Sequence, residues 1–164
     1  MFRDMRRKGQ KLAEEEAIEI LKRGSHGVLA LSGDDDYPYA LPISYVYDDG
    51  RIIFHSAITG HKIDAIRKSS KASFCVVDKD DVVPELYTTK FRSVIAFGRI
   101  EIVNDDERKL EDIKKLAVKY APMDTEEHME SYIQKDWKAL CMLELQIEHL
   151  SGKEGKELVA ERAQ

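Results

Sequence analysis

Apolar and polar residues alternate along most of residues 24–104, with the period of about two that is typical of β-strands, whereas the flanks show the helical period of about 3.6. Six segments carry this pattern and are predicted to be strands: Val28–Leu31, Tyr39–Tyr47, Arg51–Ser56, Lys71–Val77, Arg92–Val103 and Leu143–Ile147. One short predicted helix, Gly60–Ser69, interrupts the first five, and the sixth follows two further predicted helices. Regular β-α-β alternation is missing, which disfavours a doubly wound parallel sheet. The pattern predicts a mainly β, α+β domain built on an antiparallel Greek-key barrel of six or so strands.

Helices are predicted at the margins of this barrel. An amphipathic stripe predicts one over residues 13–23, and Asn104 can cap another in which Leu110, Ile113, Ala117 and Tyr120 align. A shorter helix is expected at about residues 125–135. The polar stretch Asp78–Thr89 contains Pro84 and is predicted to be a mobile loop. We therefore expect an N-terminal arm over residues 1–12, a single domain over 13–153 and a polar, frayed tail over 154–164.

Charge and cysteine content exclude several classes of function. The 31 Asp and Glu residues outnumber the 26 Lys and Arg residues, and the net charge of −5 argues against nucleic-acid binding. Two cysteines are too few for a disulfide scaffold or a cysteine zinc site. The longest apolar run, Ala139–Leu143, has five residues, far below the roughly 20 that a membrane span needs. No apolar segment follows the charged N-terminus, so we expect a cytoplasmic protein without a membrane partner.

The densest polar cluster runs from His55 to Lys62, at the end of a predicted strand and the beginning of a helix. Gly60 allows close backbone approach, and the helix start with Ser56, Thr59, His61 and Lys62 supplies donors for an anion such as phosphate. A merely polar strand–helix junction would show the same residues, and spacing alone does not decide between these two interpretations.

Two other kinds of site receive little support from the residues. The histidines His26, His55 and His61 lack metal-ligand spacing, so we predict no metal. A triad of Ser56, His55 and Asp64 is excluded because adjacent residues of a strand face opposite sides.

Taken in order, a series of short motifs resembles the pyridoxamine 5′-phosphate oxidase-related FMN-binding split barrels, and most closely their nitroimidazole-resistance branch. The motifs span nearly the whole chain: Met5-Arg6-Arg7-Lys8, Gly27-Val28-Leu29-Ala30-Leu31, Tyr37-Pro38-Tyr39-Ala40-Leu41-Pro42-Ile43-Ser44-Tyr45, Ile53-Phe54-His55-Ser56-Ala57, Gly60-His61-Lys62-Ile63-Asp64, Ser93-Val94-Ile95-Ala96-Phe97-Gly98-Arg99-Ile100 and Leu150-Ser151-Gly152-Lys153.

The resemblance implies a homodimer with FMN at the subunit interface. The strand around Ile43 would follow the flavin ring, the segment around Ser56 the ribityl chain, and His61 with Lys62 would hold the phosphate. Ser93 would add a contact, and Trp137 would reach the flavin of the second subunit. The predicted cofactor-binding residues are Leu41, Pro42, Ile43, Ser44, Tyr45, His55, Ser56, Ala57, Gly60, His61, Lys62, Ser93 and Trp137.

The same resemblance implies an oxidoreductase that reduces the nitro group of a small molecule, with His55 as the catalytic residue. Pyridoxamine phosphate oxidation is disfavoured because the C-terminal arginine pattern of those oxidases is absent; Arg162 lies in the polar tail. A non-enzymatic flavin- or haem-binding module is the main alternative. A relative that binds deazaflavin or pyridoxal phosphate is a further one.

Overall fold

A computed structural model describes all 164 residues. The strands are β1 (His26–Ser32), β2 (Pro38–Ser44), β3 (Val46–Asp48), β4 (Arg51–Ala57), β5 (Lys71–Val83), β6 (Thr88–Ile102) and β7 (Leu140–Glu154). The helices are α1 (Glu14–Arg23), α2 (His61–Lys68), α3 (Asp106–Tyr120), α4 (Glu126–Asp136) and α5 (Lys156–Arg162). None of these helices is long and apolar enough to cross a membrane.

The seven strands form one antiparallel sheet in the order β2-β1-β5-β6-β7-β4-β3. The two edge strands, β2 and β3, are separated along the chain by Tyr45 alone. Because one residue leads from the strand at one edge to the strand at the other, the sheet must curl until its two edges approach each other. This closure confirms the predicted split barrel with flanking helices.

The barrel interior holds the main hydrophobic core. Its fully buried side chains include Leu29, Phe54, Phe74, Val94 and Leu143. Helix α1 adds the buried side chains of the predicted stripe, and α2 adds those of its apolar face: Ala17, Ile20, Leu21, Ile63 and Ile66. Burial of these apolar surfaces is the main force that closes the barrel.

A second, smaller core forms on the outer face of the barrel, beneath α3. Ile53 on β4 and Met142 on β7 pack there against Val103 and Leu116. Successive side chains of a strand point to opposite faces. His55 therefore lies on this outer face with Ile53, whereas Phe54 fills the interior.

The segment Asp78–Thr89 is not the loop that we predicted. β5 and β6 continue through it as a two-stranded ribbon, paired from Lys79↔Arg92 to Val83↔Thr88, with a tight turn at Pro84–Leu86. The ribbon projects beyond the barrel core and is contacted by polar groups of α5, such as Glu157 on Thr88, so its strands need no apolar side. The polar composition consequently resembles that of a loop, although the backbone is extended.

The chain ends also differ from the prediction of an arm and a frayed tail. Leu12 is buried, and its N–H donates to the Gly152 carbonyl oxygen. Residues after Gly155 form α5, whose Leu158 is buried. Arg162 on α5 pairs with Glu16 and Glu154. These partners are distant in sequence, which is why local composition could not reveal the helix. A smaller correction concerns α3, which is capped by the Asp105 side chain rather than by Asn104.

Candidate functional site

His55 and Ser44 open into one cavity between the outer face of the barrel and the helices α3 and α4. Its volume is about 370 Å³, and Leu140 at the start of β7 completes its floor. Helix α3 contributes Ile113, Leu116, Ala117 and Tyr120, and α4 contributes Met129, Tyr132, Ile133 and Asp136, with Asp124 just before it. We call this space the α3–α4 cavity. Two of the predicted site residues, on strands that are not neighbours in the sheet, therefore share one space.

Lys62 lies beside His55 at the beginning of α2. It is half-buried and makes no ion pair or hydrogen bond within the chain. Burial lowers the pKa of Lys62, and burial together with the charge of Lys62 lowers the pKa of His55. A half-buried ammonium without an acidic partner is costly unless an anion joins it. Lys62 is therefore the residue of the site that is best suited to bind an anion.

The backbone at Gly60 leaves room for such an anion. Gly60 caps α2 with a φ of +120°, in the region that favours glycine, and no atom lies within 4 Å of where a Cβ would stand. The first N–H groups of α2 follow directly, and such groups attract negative charge. Gly60 and Lys62 thus fit a phosphate group.

His61 does not share this space with Lys62. Its ring stacks on Tyr39 with centroids 4.0 Å apart, and its Nε2 lies 3.6 Å from an Asp34 carboxylate oxygen. Asp34 lies in the β1–β2 connection and Tyr39 on β2, whereas Lys62 lies beside His55 on β4. Within this chain His61 and Lys62 thus have different neighbours, and their pairing on one phosphate stays a prediction.

Tyr45 links several elements of the fold through its hydrogen bonds. Its side chain is fully buried, and its hydroxyl donates to the Leu21 carbonyl oxygen at 2.7 Å. Its N–H donates to the Tyr120 hydroxyl oxygen at 2.9 Å, and its carbonyl oxygen accepts from Lys119 Nζ at 2.8 Å. These polar atoms are already engaged, so Tyr45 holds β2, β3, α1 and α3 together at the point of barrel closure.

The rest of β2 alternates between the core and the outside. Leu41 and Ile43 pack against the barrel core, whereas Pro42 is exposed and Ser44 lines the α3–α4 cavity. β2 is an edge strand, hydrogen-bonded only to β1. Its other edge offers backbone donors and acceptors to a ligand.

Ser56 and Ala57 complete the end of β4, where they pair with Cys141 and Leu140. Ser56 faces the barrel side of the strand, opposite to His55. Ala57 is exposed and leads directly toward Gly60. Only Ala57 of this pair faces the cavity side.

Neither Ser93 nor Trp137 lines the α3–α4 cavity. Ser93 pairs with Lys153 near the far end of β7, whereas His55 pairs with Met142 near its beginning. Trp137 is half-buried next to Lys109, whose Nζ stands 4.1 Å from the ring centroid and donates to the Trp137 carbonyl oxygen. A single chain therefore brings neither residue to the cavity.

The helices that roof the cavity were missed as site elements. The stripe of Ile113, Ala117 and Tyr120 is visible in the sequence, where it predicts core packing. In the structure part of this stripe lines the cavity together with residues of α4. No signal in the sequence separates such a lining from core packing.

Fold and site together define a split-barrel protein in which a histidine lines an apolar cavity and a half-buried lysine lies beside that histidine. The family model for pyridoxamine 5′-phosphate oxidase matches residues 13–154. The chain belongs to this family. No protein of curated function matches the sequence.

Solved structures share the whole fold at low identity. A candidate 5-nitroimidazole antibiotic resistance protein from Bacteroides thetaiotaomicron is 16% identical, with a TM-score of 0.77 over 88% of this chain and 86% of that one. A conserved hypothetical protein from Mycobacterium tuberculosis is 21% identical, with a TM-score of 0.80 over 94% and 92%. An FAD and heme binding protein from Mycobacterium smegmatis is 20% identical, with a TM-score of 0.70 over 93% and 80%. These likenesses concern the fold.

Proposed function

We propose that the protein binds FMN and uses it to reduce a small molecule, with the nitro group of an aromatic compound as the model acceptor. The observation that carries the proposal is Lys62: a half-buried ammonium without an acidic partner, next to His55 and the α3–α4 cavity. Family membership supports the same assignment, and so do the flavin-binding and nitroimidazole-resistance descriptions of the relatives.

Each part of the flavin has a matching part of the site. Lys62 and the α2 start at Gly60 would hold the phosphate, and Ser56 and Ala57 would follow the ribityl chain. The free edge of β2 at Pro42, Ile43 and Ser44 would bond the polar rim of the ring. When bound, FMN supplies the electrons, and the protein contributes binding and a controlled environment.

His55 is the residue proposed to handle protons. Its pKa lies below the ordinary value, because of burial and the nearby Lys62 charge, so the ring is neutral at pH 7. Nitro reduction consumes protons as well as electrons, and only the protonated imidazole can act as a general acid. The rate should therefore rise as the pH falls below 7.

A homodimer would bring Ser93 and Trp137 into the site. The outer face of β1, β5 and β6 is covered by no helix and exposes Val28, Val77 and Ile95, at 40, 63 and 36%. Ser93 lies in the same row as Val77. A second copy packed on this apolar face would cover it and bring its own Ser93 toward the first copy's flavin.

The phosphate assignment is tested by titrating Lys62→Ala with FMN and with riboflavin, which lacks the phosphate. FMN affinity should fall about 10- to 100-fold, the effect of one charged hydrogen bond, and riboflavin affinity should hardly change. Lys68→Ala, an exposed lysine at the other end of α2, is the control. Equal losses for both ligands would refute the assignment, and mass analysis of the released cofactor distinguishes FMN from FAD.

The chemical step is tested separately with His55→Ala. We expect normal flavin content and a single-turnover oxidation of the reduced protein by a 5-nitroimidazole that is slower by about 10²-fold or more. If the variant matches the wild type between pH 6 and 8, His55 is structural and the protein is a flavin carrier.

A further inference from the structure

The α3–α4 cavity has the size and lining of a binding site for an organic ligand. Its volume of about 370 Å³ lies in the range of small-molecule pockets, and eight of its twelve lining residues are hydrophobic. Ile113 and Leu116 from α3 face Met129 and Ile133 from α4 across it. An occupant must therefore present an apolar body of about one or two rings.

Aromatic side chains stand at the opening of the cavity. Tyr120 and Tyr132, on α3 and α4, both line it and both remain exposed. Tyrosine rings offer flat apolar faces that stack on other rings. These two residues favour a planar aromatic ligand over an aliphatic one.

The charges that line the cavity are of one sign. Asp124 and Asp136 are carboxylates, and no lysine or arginine lines the space. Asp124 is already paired with His128 Nδ1 at 2.8 Å, whereas the Asp136 side chain has no hydrogen bond or ion pair. His55 at the floor adds no positive charge at pH 7, since its pKa is lowered. Asp136 is thus a carboxylate free to bind a cation.

We propose that the α3–α4 cavity binds a small aromatic ammonium compound, with its ring among Tyr120, Tyr132 and Met129 and its amine on Asp136. The ring end then lies toward His55 on the cavity floor. The role of this ligand as the molecule that the flavin reduces rests on the proposed function. Its binding can be measured without turnover. The unpaired Asp136 carboxylate disfavours an aromatic carboxylate of the same size.

Three probes of equal size and different charge test the assignment. These are 4-nitrobenzylamine, 4-nitrobenzyl alcohol and 4-nitrobenzoate, each titrated calorimetrically at pH 7 into the purified protein with its flavin content measured. The amine should bind at least about tenfold more tightly than the benzoate, with the alcohol between them. Benzoate binding as tight as that of the amine would overturn the proposal.

Variants with matched controls locate the site. Asp136→Asn should reduce the affinity for the amine about fivefold or more, to that for the alcohol, whereas Glu127→Gln on the exposed side of α4 should change it less than twofold. Ala117→Leu fills the cavity and should weaken all three probes. Val118→Leu, on the exposed face of α3, should not. No effect of Ala117→Leu on any probe would overturn the proposal.

Flavin content separates this inference from the proposed function. If Ala117→Leu loses its flavin, the cavity holds the flavin ring and the ligand assignment is wrong. If the wild type carries no flavin and yet prefers the amine through Asp136, the ligand assignment stands and the proposed function is refuted.

Discussion

A buried pair of carboxyl groups attaches α3 to the barrel, and its protonation makes the sharpest prediction about stability. Asp112 on α3 is 0% exposed and Glu144 on β7 is 2% exposed. Glu144 accepts hydrogen bonds from Arg51 and Arg108, and although burial opposes it, the Arg108 bond brings its pKa below the ordinary value. Neither oxygen of Asp112 has a donor, and its nearest cation is Arg51 Nη1 at 3.5 Å.

Burial, reinforced by the Glu144 charge, raises the pKa of Asp112 from an ordinary value near 3.8 to about 7. Arg51 and Lys115 oppose this shift without cancelling it. A proton on Asp112 supplies the missing donor to Glu144. The folded chain thus keeps a proton that the unfolded chain releases between about pH 4 and 7, so the free energy of unfolding falls as the pH rises through that range.

In the Asp112→Asn variant the side chain cannot ionise and keeps an N–H donor for Glu144, so the free energy of unfolding should no longer fall with pH. The pKa of Asp112 differs by about three units between the folded and unfolded chains, which corresponds to at most about 4 kcal/mol at pH 8. The lost attraction to Arg51 offsets part of it, and we expect the variant to be more stable by about 1–3 kcal/mol at pH 8. At pH 4.5 the difference should be below about 1 kcal/mol.

Urea unfolding at both pH values, followed by the fluorescence of the single tryptophan and by circular dichroism, measures this difference. Asp48→Asn is the control in the same cluster. A hydrogen bond from Lys115, with a further one from Arg51, lowers the pKa of Asp48, so its contribution is present above about pH 4 and this variant should be less stable at pH 8. If Asp112→Asn is destabilised equally at both pH values, Asp112 is an ordinary ionised partner of Arg51 and the reasoning fails.

Two further predictions concern packing and assembly. Gly98 lies at a bulge where β6 meets β7, and a Cβ there would collide with the Gln146 carbonyl oxygen. Gly98→Ala should therefore lower the free energy of unfolding in urea by about 1–3 kcal/mol, whereas Gly9→Ala, in open space, should lower it little; equal stabilities would contradict this contact. The second prediction is that Ile95→Lys, which puts a charge on the exposed β1–β5–β6 face, dissociates the dimer. Light scattering should give twice the chain mass for the wild type and for the control Val118→Lys, and a single chain mass for Ile95→Lys. An Ile95→Lys variant that stays dimeric would exclude this face as the interface.

Most of the fold could be predicted because its signals are local. The alternation of Leu143, Leu145 and Ile147 with polar residues identifies a strand whatever it pairs with, and the stripe of Ala17, Ile20 and Leu21 identifies a helix in the same way. The errors fell where the sequence is polar. The ribbon at Asp78–Thr89 is a local hairpin that pairs Val83 with Thr88, but its polar composition resembles that of a loop. The helix α5 is also polar, and it is ordered by residues that are distant in the chain, such as Glu16.

The candidate site shows the same division between what local sequence signals predict and what contacts in the folded chain decide. By itself the sequence determined the residue types at the end of β4 and the start of α2, and hence that an anion-binding group containing Lys62 was available. Only the tertiary structure decided how these residues are used. Packing sends His61 to Tyr39 and leaves Lys62 without an acidic partner, and it engages the polar atoms of Tyr45 at the barrel closure. It also places two aspartates in the same cavity as His55. The physical reason is that a residue's chemistry is local, whereas its solvation and its neighbours depend on contacts that no short segment encodes.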